Sequence, residues 1–206
     1  HYHHDFGPVA PGFVHIPFAD VDALEAAVNE HTVAVLIEPI QGEGGIILPP
    51  DGWLRAVREL CDRHGILMID DEIQTGLGRT GHLFCHHHEP GAEPDIMTVG
   101  KALGGGVYPL SAALASQDIM SVFQPGDHGS TFGGNPLACA VGEAALDVIV
   151  NEDLTARSRM MGERLMAGLR AIDSDRIVEV RGRGLLIGIE IAEAAGPARP
   201  FCEALM

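Results

Sequence analysis

Two residues in this sequence could do acid–base and covalent chemistry together. Lys101 stands between a short apolar run, Thr98-Val99, and a glycine cluster, Gly104-Gly105-Gly106. That places an amine at the end of a buried strand, with flexible backbone beyond it that a ligand can approach closely. Upstream, a second apolar run, Ile66-Leu67-Met68-Ile69, ends in Asp70-Asp71-Glu72, so carboxylates sit at a strand end as well. The carboxyl edge of an open α/β sheet is where ligands bind. An amine and an acid there could form no more than an ion pair, so their surroundings must decide.

The elements needed to position them are legible. Val33-Ala34-Val35-Leu36-Ile37 reads as a strand covered on both faces. A helix follows, with Asp51 as its expected cap, an apolar stripe of Trp53, Leu54, Val57, Leu60 and Cys61, and Gly65 as its stop. The strand 66–69 comes next, and strand, helix, strand in so short a span signals a right-handed parallel crossover. Residues 94–99 deliver Lys101, and 107–115 return as another strand. The expected fold is α/β, a mostly parallel sheet flanked by helices.

The remaining stretches are read as follows. Residues 11–18 are coil with a short edge strand, and Asp20–Asn29 is a surface helix. Asn135, with Pro136 behind it, caps a small-residue helix to Val150 that suits close packing and a subunit contact. A second helix spans Leu154–Ile172 with Met161, Leu165 and Leu169 as its stripe. Two strands, Ile177–Val180 and Leu185–Ile191, are joined by Arg181-Gly182-Arg183-Gly184. The domain reading is 1–150 as most of a large domain, and 151–206 as a connecting helix and the start of a smaller α+β one.

Composition excludes several function classes. With 29 acidic against 13 basic residues, the formal charge of −16 repels phosphate backbones and anionic lipid, so neither nucleic acid nor membrane surface is an expected partner. No apolar run approaches the roughly 20 residues a bilayer span needs. Cysteines 61, 85, 139 and 202 form no Cys-x-x-Cys pair, which suits a reducing, cytoplasmic compartment and no zinc ribbon. Thr75 to Gly81 is glycine-rich but lacks both the dinucleotide spacing and the P-loop lysine, so no nucleotide is assigned. His1, His3 and His4 read as a solvated loop, and His86-His87-His88-Glu89 as a solvated tip; no metal is assigned to either.

Three segments taken together carry a resemblance: Asp71-Glu72-Ile73-Gln74-Thr75-Gly76, Gly100-Lys101-Ala102-Leu103-Gly104-Gly105-Gly106, and Gly129-Ser130-Thr131-Phe132-Gly133-Gly134-Asn135-Pro136. In this order and at nearly this spacing they resemble the class III pyridoxal-phosphate aminotransferases, and within them the ornithine aminotransferases. The resemblance implies the fold type I architecture and pyridoxal 5′-phosphate as cofactor. It implies Lys101 as the catalytic residue, bound to the cofactor as a Schiff base, and Asp71 as the acid that keeps the ring nitrogen protonated. Gln74 is implied to lie on the 3′-oxygen side of the ring. Ser130 and Thr131 are implied at the phosphate, with Thr131 reaching the neighbouring subunit's site in a homodimer.

The text Glu38-Pro39-Ile40-Gln41-Gly42-Glu43 also matches the family, which implies Glu43 and Glu38 as lining of the substrate pocket. The expected reaction moves the δ-amino group of ornithine to 2-oxoglutarate by a ping-pong route, giving glutamate 5-semialdehyde and glutamate. Acetylornithine or 4-aminobutyrate aminotransferase, or glutamate-1-semialdehyde aminomutase, are the alternatives. The chain itself reads as an interior portion of a longer enzyme, weakly active or inactive in isolation. The reading from a different class is a catalytically incomplete fragment or a histidine-based metal-binding module.

Overall fold

The computed structural model describes residues 7–206; the expectation for His1, His3 and His4 lies outside them. Residues 8–18 form coil and turns with no edge strand. Helix α1, Val21–Ala27, begins at Asp20, whose carboxylate accepts from the Ala23 N–H at 2.8 Å. Strand β1 is Ala34–Ile37, helix α2 Trp53–His64 and strand β2 Leu67–Asp71. Strand β3, Ile96–Val99, and strand β4, Ala112–Ala115, complete a sheet of order β1-β2-β3-β4. β1, β2 and β3 run parallel and β4 antiparallel to β3.

α2 is the crossover between β1 and β2, and its stripe is the one periodicity predicts. Trp53, Leu54, Val57, Leu60 and Cys61 are buried against Leu24, Val35 and Met68. At roughly 1.5–3 kcal/mol for each fully buried large apolar side chain, this layer is the main force holding β2 in place. Gly65, at φ +64°, ends the helix by donating to the Asp62 and Cys61 carbonyls. The start differs from expectation. Gly52 occupies the cap position, and the carboxylate that accepts from the helix-start amides is Glu89, from the Gly52 and Arg55 N–H groups at 3.0 and 3.2 Å. Asp51 instead bonds Arg183 at 2.9 Å. A distant carboxylate caps this helix because an acid at a helix start is favourable whichever part of the chain supplies it.

β1 is not covered on both faces among the described residues: Val35 is buried, whereas Leu36 is 60% exposed. Beyond β4 come the short helix α3, Gln117–Met120, then α4, Pro136–Asn151, and α5, Leu154–Arg170. Asn135 caps α4 as predicted, accepting from the Ala138 N–H at 2.9 Å. The inward face of α5 is Ser158, Gly162 and Met166, while Leu165 is 48% exposed. Gly162 turns inward because α5 rests there on backbone. A Cβ on Gly162 would lie 1.8 Å from the Gly184 carbonyl oxygen.

Gly184 lies in the turn of a second, two-stranded sheet. Strand β5, Ile177–Arg183, pairs antiparallel with β6, Leu186–Ile191, and the short helix α6, Arg199–Ala204, follows. Arg181, Gly182 and Arg183 therefore lie within β5, and the turn is only Gly184-Leu185. No helix among the described residues is long and apolar enough to cross a membrane.

Candidate active site

The register of the sheet assembles the site. Asp71 pairs with Thr98 across β2 and β3, and the Glu72 N–H extends the ladder to the Thr98 carbonyl at 2.9 Å. Lys101 follows Thr98 by three residues. At a strand spacing of about 4.8 Å and a rise of about 3.3 Å per residue, the two Cα atoms lie within about 11 Å of each other. Asp71 is half-buried and anchored through one oxygen: its Oδ1 accepts from the Ile73 N–H at 3.0 Å and the Thr98 hydroxyl at 3.2 Å. Among the described residues Oδ2 accepts no hydrogen bond.

Lys101 is exposed and opens a 3-10 turn, Lys101–Gly104, that ends at Gly105. Its φ of +44° lies in the left-handed region, which costs a lysine on the order of 1 kcal/mol. The glycines beyond it let the chain double back at once, with the Val107 and Tyr108 N–H groups both donating to the Gly104 carbonyl. It is also the one lysine in the 206 residues, a signal more direct than its spacing.

A third strand end brings the loop after β1. Gln41 and Ile47 close it as a bridge, and Glu38 Oε2 accepts from the Gly42 N–H at 2.9 Å, so one oxygen of Glu38 is spent on its own loop. Glu43 reaches outward. Its Oε1 accepts from Gln74 Nε2 at 3.0 Å, which ties the loop to the turn after Asp71. Gly42 lies so close beneath Gln74 that a Cβ there would meet the amide carbon at 2.5 Å.

Sequence reasoning passed over Arg181 as part of a connector. Its guanidinium donates to the Gly45 carbonyl at 2.9 and 3.2 Å and to the Ile46 carbonyl at 3.0 Å, and it pairs with Glu179 and Glu190 at 2.7 and 2.6 Å. The second sheet thereby holds the Glu43 loop by its backbone. The two acids raise the pKa of Arg181, so it is a fixed cation.

The turn carrying Gln74 is held from below by Glu72, 1% exposed. Its carboxylate accepts from the Thr75 hydroxyl at 2.6 Å, the Cys85 and His86 N–H groups at 2.9 and 3.0 Å, and lies 3.2 Å from His86 Nδ1. Burial works to raise its pKa, but these bonds outweigh it and hold the group below the usual carboxylate value. The stretch 86–89 is consequently not a solvated tip. Cys85–His88 is a 3-10 turn under the β2 exit, with His86 and Glu89 buried and His87 alone exposed. Burial, with Arg183 and His82 nearby, pushes His88 down to about 4, while its Nε2 meets the Thr80 carbonyl. Beside Glu72, Asp70 is fully buried, and burial with the neighbouring Glu72 charge pushes its pKa up to about 8.

Ser130 and Thr131 lie outside the hydrogen-bonded cluster described above. They occupy an exposed turn before α4, where Ser130 Oγ accepts from the Gly133 N–H at 2.9 Å. Among the described residues no hydrogen bond joins them to Asp71, Gln74 or Lys101. An apolar cavity of about 740 Å³ between α4, α5 and the glycine turn, lined by Leu77, Ala102, Val107, Val148 and Met161, also excludes those three residues.

The family model described as aminotransferase class-III matches residues 1–206. The chain is 57% identical over 204 residues to ornithine aminotransferase 2 of Staphylococcus aureus (strain Mu50 / ATCC 700699), covering 99% of itself and 50% of that protein. It is 54% identical to ornithine aminotransferase of Bacillus cereus (strain Q1), again covering 50% of it. Among solved structures it is similar to the ornithine aminotransferase from Toxoplasma gondii ME49, with a TM-score of 0.89 and 47% identity over 93% of this chain and 46% of that one. It is also similar to acetylornithine aminotransferase from Elizabethkingia anophelis, with a TM-score of 0.89 and 46% identity over 97% of this chain and 51% of that one. The chain thus spans about half the length of the curated relatives it matches. It belongs to the class III aminotransferase family, with the fold type I architecture.

Proposed function

We propose that the whole protein is a pyridoxal-phosphate-dependent ornithine aminotransferase, moving the δ-amino group of ornithine to 2-oxoglutarate and acting as a homodimer. The observation that carries the reading is the β2–β3 register, which sets an anchored carboxylate and a lone lysine on adjacent strand ends. That donor set fits the cofactor. When bound, pyridoxal phosphate supplies an electron sink for the bond broken at the substrate's amine-bearing carbon.

The chain's own residues would do the rest. Lys101 would hold the cofactor at its aldehyde carbon, and its Nζ would move the proton at the substrate's amine-bearing carbon. Asp71 Oδ2 holds a proton at the ring nitrogen, and the Thr98 and Ile73 bonds to Oδ1 keep that carboxylate in place. Gln74 orients the ring from its oxygen side. Glu43 and Glu38 line the substrate pocket, with Arg181 fixing the loop that carries them. Ser130 and Thr131 bind phosphate, and their exposure on the turn before α4 leaves Thr131 open to act at the partner's site.

Ornithine is favoured by the two curated relatives named for it. A second reading, acetylornithine as donor, is supported by the equal TM-score of the Elizabethkingia anophelis structure. Turnover of the full-length protein with ornithine, acetylornithine and 4-aminobutyrate separates them. Ornithine is expected to give the highest kcat/KM by at least about tenfold, or roughly 1.4 kcal/mol; preference for either other amine overturns the substrate assignment.

A further inference from the structure

Beneath the β2 exit lies a cluster that the transamination chemistry does not use. Asp70 and Glu72 alternate with Asp71, so they point to the sheet face opposite the cofactor side. One oxygen each of Asp70 and Glu72 and one ring nitrogen of His86 all lie within 4.8 Å of one another. The three residues are 0, 1 and 7% exposed. Both carboxylate oxygens of Asp70 are fully buried with no hydrogen-bond partner. An ionised buried carboxylate without a partner carries a large desolvation cost, and a second carboxylate beside it adds repulsion, so Asp70 keeps its proton until a cation enters and displaces it.

We propose that Asp70, Glu72 and His86 form a binding site for a divalent transition-metal ion of the zinc class. Two carboxylates balance a doubly charged ion, and an imidazole nitrogen selects zinc-like ions over magnesium or calcium. Asp70 supplies Oδ1 and Oδ2, Glu72 supplies Oε1, and His86 supplies Nδ1, which exchanges its 3.2 Å approach to Glu72 for the metal. Zinc bonds of about 2.0–2.2 Å require the three side chains to close in by about 1 Å. The Thr75 hydroxyl and the Cys85 and His86 N–H groups remain on Glu72 and orient it, as outer partners of a metal ligand do. The ion would brace the Cys85–His88 turn against β2, directly behind the strand end that carries Asp71 and the turn that carries Gln74.

The test is zinc retention by the full-length protein. Equilibrated with a small excess of zinc and desalted, the native protein is expected to keep about one zinc per chain and to unfold at a higher temperature than after chelation. Asp70→Asn, which keeps the shape and leaves His1, His3 and His4 untouched, should retain a small fraction of that zinc and show no chelator effect. His86→Gln should behave the same way, and circular dichroism reports that both variants fold. No retained zinc in the native protein, or equal retention by the folded Asp70→Asn variant, overturns the proposal. Either result leaves the assignment of Lys101 and Asp71 standing, since neither residue is a ligand.

Discussion

Gly42→Ala isolates the coupling between the loop carrying Glu43 and the turn after Asp71. The new Cβ would lie 2.5, 2.6 and 2.7 Å from the Gln74 amide atoms, against an ordinary contact of 3.4 Å or more, so Gln74 must retreat by about 1 Å. Gly42 is outside the left-handed region, and its N–H bond to Glu38 uses backbone, so the substitution adds no conformational strain. Gln74 is a flexible, half-buried side chain, and the stability cost should be about 1 kcal/mol or less. Function should suffer more, because the retreat breaks the 3.0 Å Gln74–Glu43 bond and moves Gln74 away from the position proposed for its contact with the cofactor ring. A 1 Å misplacement costs up to roughly 100-fold, about 2.7 kcal/mol of transition-state stabilisation. The assay is kcat/KM for ornithine in full-length protein beside the thermal unfolding midpoint, repeated in a Gln74→Ala background. Activity is expected to fall about 10- to 100-fold with little change in midpoint, and the added effect should vanish once Gln74 is gone. Wild-type activity in the single variant, or the same loss in both backgrounds, would refute the reasoning.

Three further outcomes follow from the same contacts. Arg181→Met removes the donors to the Gly45 and Ile46 carbonyls, and steady-state kinetics should show KM for the amine rising about 5- to 50-fold with a smaller change in kcat, as loss of loop positioning predicts. Gly162→Ala drives a methyl into the Gly184 backbone, so chemical denaturation should show at least about 3 kcal/mol of lost stability. Burial pushes the Cys61 thiol up to about 11 and raises Cys85 too, so alkylation at pH 8 followed by peptide mass spectrometry should leave both unmodified until the protein unfolds.

What was legible in the sequence is what periodicity and chain-local chemistry encode. The α2 stripe, the β1–α2–β2 crossover, the Asn135 cap and the strand-end positions of Asp71 and Lys101 are all written within a few consecutive residues. The failures share one physical origin, namely partners from distant sequence. Nothing near Asp51 announces that Glu89 caps α2. Periodicity points to Met161, Leu165 and Leu169 as the α5 stripe because large apolar residues normally mark the buried face. Here the facing surface is the Gly184 backbone, which admits only a residue without a side chain. The histidine run was read as solvated because consecutive histidines in a turn usually are. Glu72 needs buried N–H donors, and Cys85 and His86 supply them, which draws the run inside. Arg181 was hidden in the same way, since its carbonyl partners belong to a loop near the other end of the chain.

The central claim is that Lys101 is the residue that bonds the cofactor. Reducing the full-length, cofactor-loaded protein with borohydride, digesting it and sequencing the pyridoxyl-bearing peptide by mass spectrometry tests this most directly. The label is expected on Lys101, in the peptide containing Thr98-Val99-Gly100, and should disappear in Lys101→Ala. A label on any other lysine of the whole protein, or none on a fully loaded sample, would contradict it.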